Sequence, residues 1–514
     1  VKAQAGVAAA IIGLTLLGFF QFPGHTYLQQ DTQIYIPILE HLWDGSVLGQ
    51  DLLVQRPHVA FTLYDELALG LRWATGAGFQ AILETLQLFT RGLGLWGIYL
   101  ISLAVLGDRC CSLLVCGVFG LGAAIDGPAV LTIEYEPSPR AFAIPLVFLA
   151  IGLMVWRKPV WAGGVAAAGF VLHPPSVLAF WAVYFCVERR VRAWAPFSIA
   201  LTLLLLGAST QPGVKESQPF FLRIGSELEH LQRMRASYNW VSMWWRSDWW
   251  EYALGTFVIA AGYWRVRKWG SFLLGLPAVG LLSVAVSYLL LEKLKWGLIP
   301  QVQPARTLLF VTAIAVLLAA ICGCLALRQE RWLESGVWFF ASILPPLVWS
   351  HWGLAALLGL LLVMAARFRW VSAPLLIGCY FVIPLIGHVE NYPAVRTPEL
   401  ATLSEWAAKF TPKDSIFVFP EAGKKADAGV FRSEALRAIY VDWKGGGQVN
   451  YLPELGVEWW QRWQDVMLKP VDPGHYRTLG IGYIVLPSGQ KMAGEKPVFQ
   501  NTRYLVYSTS AKSP

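Results

Sequence analysis

AQAGVAAAIIGLTLLGFFQFPGHTYLQQD, residues 3–31, decides how this chain is read. The apolar run through Phe22 suffices for a bilayer-crossing helix, which needs about 20 residues. It ends in FFQFPGH rather than at a small-residue cleavage site, so it reads as a retained first span and not as a secretory signal. The stretch that follows, YLQQDTQIYIPILEHLWDGSVLGQDLL (Tyr27–Leu53), carries Asp31, Glu40, Asp44 and Asp51 among aromatic and aliphatic residues. Asp31 stands about two helical turns beyond the run, close to the bilayer surface. A carboxylate at that depth is either an ordinary loop residue or a reactive group at the lipid–water boundary.

Composition carries the same message outward. The 514 residues are 56% hydrophobic and 14% charged, with a mean hydropathy of +0.49; a soluble domain has about 25% charged residues. Many of the 25 Trp fall at the ends of apolar runs, as at Trp43, Trp156, Trp161, Trp194, Trp296 and Trp370, where an amphipathic ring suits the interface. The net charge of +8 sits in short clusters between apolar runs, a topological pattern, so no nucleic-acid partner is expected. All seven Cys lie in or beside apolar runs, without zinc-ligand spacing, and read as small hydrophobes. The polar C-terminal region has none and hence no disulfide.

The fold class expected is an α-helical polytopic membrane protein with a small C-terminal α/β domain. Thirteen spans are predicted, at 3–22, 92–107, 110–127, 139–156, 159–173, 174–188, 194–209, 251–264, 270–290, 305–327, 335–350, 352–366 and 371–388. Six alternate turns are basic: Asp108-Arg109, Arg157-Lys158, Glu188–Arg192, Arg265–Lys268, Arg328–Arg331 and Arg367–Arg369. The positive-inside rule puts them and the N-terminus in the cytoplasm. The transmembrane domain is then 1–388, with a large outer loop at 23–91, and residues 389–514 form an extracytoplasmic domain. Helical periodicity in PHVAFTLYDELALGLRWATG predicts interfacial helices in that loop. Glu84 and Arg91 are read as solvated rather than paired. Val1 fits a literally translated GTG start, which points to a bacterial reading frame.

Beyond 389, helices and strands alternate: a helix through Phe410, strands at 415–419 and 438–442, a helix at 454–468, and strands at 482–486 and 503–507. With no GxGxxG or P-loop, no nucleotide is assigned. The domain is expected to pack over the outer loops without catalytic residues of its own.

Four groups on the outer face could carry chemistry. Asp31 is the first. The second is Glu134-Tyr135-Glu136-Pro137-Ser138-Pro139-Arg140, whose two carboxylates at i, i+2 can share a Mg²⁺ or Mn²⁺, flank a reacting group, or simply pair with Arg140. Third is His173, ahead of Pro174-Pro175, able to orient a phosphate or to hydrogen-bond locally. Fourth are Lys293, Lys295, Gln301, Gln303 and Arg306 near the start of the tenth span. There an anionic headgroup is a natural partner for Arg306, and snorkelling is the plain alternative. The Trp-rich run 238–252 fits interface anchoring or sugar stacking. No hydrolase, zincin or Walker motif occurs, and no intramembrane Lys–Asp pair of the transporter kind.

This layout resembles the C-type (GT-C) fold of membrane glycosyltransferases that use polyprenyl-phosphate sugars. Asp31 stands where that superfamily has its first-loop acid, and Glu134-x-Glu136 where it has its second acidic motif. SPRAFAIPLVFLAIGLMVWRK…VLHPP and FRSEALRAIYVDWKGG…EWWQRW look like a bacterial branch. Two departures stand out: Gln30-Asp31 replaces paired acids, and two Glu replace Asp. The resemblance implies an inverting transfer of a sugar to an envelope glycan, lipid or protein, at the outer face of the bacterial cytoplasmic (inner) membrane. It implies Asp31, Glu134 and Glu136 as catalytic, with Arg140, His173, Lys295, Gln303 and Arg306 contacting substrate. A non-catalytic envelope scaffold and a lipid or polymer transporter are the alternatives.

Overall fold

The computed structural model describes residues 2–55, 62–211, 221–266, 270–344, 355–357, 359–361, 363, 369–387, 396–451 and 453–509. The chain is an α-helical polytopic membrane protein with a small C-terminal α/β domain. Helix α1 (Lys2–Phe20) is followed by two loop helices, α2 (Thr32–Trp43) and α3 (Tyr64–Thr75). Then come α4 (Phe79–Leu106) and α5 (Arg109–Phe119). A two-stranded hairpin, β1 (Ala124–Ile125) with β2 (Val130–Leu131), leads into α6 (Pro139–Val155), α7 (Pro159–Leu172), α8 (Pro174–Val187) and α9 (Val191–Thr210). The polar α10 (Ser226–Arg235) separates these from α11 (Arg246–Arg265) and α12 (Ser271–Ser287), which continues as a wider π turn through Lys293. Short α13 (Ile299–Val302) precedes α14 (Leu309–Arg328), α15 (Trp332–Ile343) and α16 (Arg369–Gly387).

Twelve of the thirteen predicted spans fall on these helices; the stretch 352–366 lies largely outside the described residues. Two boundaries differ most. The second span begins at Phe79, more than three helical turns before its expected start at 92. The third stops at Phe119, because Gly120-Leu121-Gly122 turns the chain into the hairpin. Among the described residues, Phe79–Leu106, Val191–Thr210, Ser271–Lys293 and Ile299–Arg328 are long and apolar enough to cross a membrane singly.

Helices apolar on every side give no amphipathic cue, so small residues set which ones touch. Gly97 and Gly152 bring α4 and α6 together: a Cβ on Gly97 would sit 2.4 Å from the Phe148 carbonyl oxygen, and one on Gly152 2.7 Å from that of Gly97. Helix α14 is enclosed along nearly its whole length, while α9 presents most of its surface outward. Several basic turns meet at one end of the bundle. There Arg328 Nη1 donates to the Leu106 carbonyl (2.7 Å) and Arg265 Nε to Glu334 (2.8 Å).

The C-terminal domain comprises α17 (Pro398–Phe410), β3 (Ile416–Val418), α18 (Asp427–Ala435), β4 (Ala438–Ile439), α19 (Pro453–Met467), α20 (Pro473–Thr478), β5 (Tyr483–Pro487), β6 (Phe499–Gln500) and β7 (Tyr504–Ser508). Its sheet runs β4-β3-β5-β7-β6, parallel across the first three strands and antiparallel beyond. It has no core wholly its own. Leu403, Phe417 and Phe431 share one apolar cluster with Ile36, Leu39 and Tyr64 of the first loop and Phe142 of α6. Each such side chain contributes about 1.5–3 kcal/mol by leaving water. At the crossing of α18 and α2 only glycine fits, since a Cβ on Gly429 would stand 2.0 Å from Gln33 Oε1.

Candidate functional site

The end of the bundle under the C-terminal domain gathers the residues singled out above. Arg91 is its foundation. Buried in α4, it donates to the carbonyls of Gly18 (2.9 Å), Gly24 (3.0 Å) and Glu134 (2.9 Å), and stacks on Phe19 at 5.3 Å. The expected solvated Arg91 is therefore a buried clamp, and a guanidinium with five fixed donors suits three carbonyls. Glu84 accepts from Gln80 instead.

Glu136 is the second clamp. It accepts from the amides of Gln29 (2.8 Å), Gln30 (2.5 Å) and Thr32 (3.2 Å) and from Thr32 Oγ1 (3.0 Å). Its carboxylate is thereby turned onto the 29–32 backbone. Burial first, then the Asp31 charge, pushes it up to about 7, while those donors pull the other way.

These clamps aim Asp31. It heads α2 without capping it, so its carboxylate is free for other partners. Oδ2 meets Arg140 Nη2 at 3.2 Å and Oδ1 meets Lys444 Nζ at 3.0 Å. Arg140 Nε also meets Glu134 Oε1 at 3.1 Å. Burial alone would raise Asp31, but Lys444 and Arg140 outweigh it and hold the carboxyl well below the usual range. In this state Asp31 is an ion-pair partner, not a poised base.

Glu134 and Glu136 face apart, one to Arg140 and one to the loop amides. Among the described residues no three His, Cys, Asp or Glu side chains converge as metal ligands. A divalent cation between Asp31 and Glu134 would have to displace the Arg140 guanidinium.

Arg306 reaches the same cluster from the turn before α14. Its charge acts on Asp31, its guanidinium lies 5.1 Å from the Tyr238 ring centre, and its buried Nε has no hydrogen-bond partner among the described residues. Among the described residues it has no carboxylate partner. Gln303, in left-handed backbone at φ 49°, lines the same recess, and its buried Oε1 also has no partner among the described residues. His173 caps α8: its Nδ1 accepts from the Ser176 amide (3.3 Å), which leaves the hydrogen on Nε2. Burial, then the Arg140 and Arg306 charges, keeps the ring neutral, well below its usual range.

Lys295 stands apart from the cluster. It pairs with Glu229 at 2.5 Å and lies 5.1 Å from the Trp240 ring centre. In the other direction, the C-terminal domain, expected to pack over the outer loops without catalytic residues of its own, supplies Lys444. The only sequence signal was a lysine directly before Gly445-Gly446-Gly447. Beside the recess, α11 and α12 flank a mostly apolar cleft of about 960 Å³, lined by Trp244, Trp249, Tyr252, Val284, Tyr288 and Leu308.

Residues 399–466 match the family described as Domain of unknown function (DUF6798). No curated protein matches the sequence. Among solved structures, the chain is similar to the arabinofuranosyltransferase AftD from Mycobacteria, with 14% identity and a TM-score of 0.48. That alignment covers 99% of this chain, which spans only 40% of the AftD chain. Similarity to ArnT from Cupriavidus metallidurans in the apo state, covering 99% of both chains, has 12% identity and a TM-score of 0.46.

Proposed function

We propose that this protein is a C-type membrane glycosyltransferase that moves a sugar from a polyprenyl-phosphate donor to an envelope acceptor on the extracytoplasmic face. The observation that carries the reading is Arg306. A largely buried guanidinium with no carboxylate partner among the described residues is costly, and this one lies beside both an apolar cleft and the Asp31–Arg140 pair. A lipid-linked phosphate has the matching chemistry, with an anionic head for Arg306 and an isoprenoid tail for the cleft.

In this reading the donor phosphate contacts Arg306, with Gln303 beside it and His173 donating from Nε2. Asp31 takes the proton of the acceptor hydroxyl as that oxygen attacks the anomeric carbon. The sugar–phosphate bond breaks, the lipid phosphate leaves against the cations, and one displacement inverts the anomeric centre. Glu134 steadies Arg140, and Glu136 holds the loop that carries Asp31. Lys295, paired with Glu229, takes no part in this reading. Because Glu134 and Glu136 face apart, this reading gives them no shared Mg²⁺ or Mn²⁺, and an assay with and without a chelator checks that.

The test is transfer from a labelled polyprenyl-phosphate sugar in membranes carrying Asp31→Asn, matched for protein level. Asn keeps the shape and loses the basicity, so turnover is expected to fall about 10²–10⁴-fold. Wild-type turnover in that variant would remove Asp31 from the chemistry. Absence of transfer by the wild type across donors would leave a scaffold or transport role.

A further inference from the structure

Resting on that reading, we infer that the C-terminal domain completes the donor site. Lys444 is the group that exchanges its Asp31 partner for the donor phosphate. The geometry begins with one element. The 3₁₀ run Lys444–Asn450 spans the charged cluster from end to end. At its start Lys444 Nζ meets Asp31 and Gln30 Oε1, each at 3.0 Å. At its finish Asn450 Nδ2 donates to the Tyr238 hydroxyl (3.0 Å), and Tyr238 lies under Arg306. One segment of the domain thus touches both the proposed base and the aromatic support of the phosphate-binding arginine.

The run is a fixed wall rather than a mobile cover. The Gly445 amide donates to Asp442 Oδ1 at 3.2 Å, and Asp442 is itself held by buried Arg432 at 2.9 Å. Gly446 lies flat on Trp459, where a Cβ would stand 2.5 Å from the ring. Lys444 is therefore presented from a rigid base, with only its own side chain free to re-aim.

Charge and chemistry then pick Lys444 as the exchanging group. Among the described residues, three carboxylates, Asp31, Glu134 and Glu136, meet four cations, Arg140, Lys444, Arg306 and Arg235, the last held by the Trp443 carbonyl at 3.0 Å. The excess positive charge calls for an anion. Arg140 is held by Asp31 and Glu134, whereas Lys444 has one carboxylate and one neutral amide oxygen. An ammonium on a flexible stem re-aims more readily than a planar guanidinium held at two points. When a phosphate oxygen takes Lys444, Asp31 loses one of the two cations that contact it and hold its proton affinity down, at the moment a base is needed.

The experiment measures binding, which needs no turnover. Purified full-length protein in nanodiscs is titrated with polyprenyl phosphate and, separately, with the matching polyprenol. Wild type, Lys444→Met, Lys444→Arg and Arg306→Gln are compared, each checked for unchanged melting temperature. Losing one charge-assisted contact should weaken polyprenyl phosphate binding roughly tenfold in Lys444→Met. Lys444→Arg should recover most of it, and polyprenol binding should stay the same throughout. If Lys444→Met binds polyprenyl phosphate like wild type while Arg306→Gln does not, the role of Lys444 is overturned and the transferase reading stands. If wild type does not prefer the phosphate to the alcohol, the reading and the inference fall together. Complete release of the lipid by inorganic phosphate would reassign the site to a soluble phosphate and overturn the lipid-donor assignment.

Discussion

Glu136 shows how one side chain links two distant stretches and gives the site a pH response. Its four donors come from residues 29–32, a hundred positions earlier, and they fix where Asp31 points. Its folded pKa, pushed up to about 7 from an ordinary 4.5, means that the folded protein binds more protons than the unfolded one between those values. Stability therefore falls as pH rises through that window, and this group's contribution is complete only below it. Glu136→Gln cannot titrate. Melting temperatures from pH 4.5 to 8 should decline for the wild type relative to the variant, and parallel profiles would count against the assignment.

At the scale of the element, α18 is the latch between domain and bundle. Arg432 is 1% exposed, lies 2.9 Å from Asp442 and 3.7 Å from Asp51, and donates to the Gln33 carbonyl at 3.1 Å. Asp51 in turn accepts from the Ile439 amide at 2.9 Å, so the first loop and β4 are tied through one buried triad. Removing the cation leaves two buried carboxylates unpaired. Arg432→Met is expected to cost about 3–5 kcal/mol. It should also speed hydrogen exchange in 427–450, including the Lys444 run. Unchanged exchange there would show that the apolar cluster alone docks the domain.

The whole molecule has two chemically distinct ends. Basic turns meet at one. The Asp31 loop, the Glu134–Arg140 turn, His173, Arg306 and the C-terminal domain meet at the other. We propose that the second end is extracytoplasmic. A Ser488→Cys variant in a background lacking reactive thiols should then react with an impermeant reagent in intact cells. Reaction only after lysis would invert the topology.

Long apolar runs and the period of the C-terminal segments sufficed for the apolar helices and most of the α/β domain. Each of these rests on local hydropathy or local periodicity, which a linear chain displays. Asp31, Glu134, Glu136 and Arg140 were legible as candidates because acids beside apolar runs are rare enough to be seen. Their arrangement was not. That Glu136 clamps a loop while Glu134 holds Arg140 depends on which way two adjacent side chains turn, and sequence spacing leaves that open. Arg91 looked like one more loop charge because its partners are backbone carbonyls, which have no signature. Lys444 lies 413 positions from Asp31, and only the docking of α18 on α2, at a glycine, brings the two together. Hydropathy determines the spans; the meeting of distant charges is decided by packing, because no local pattern records it.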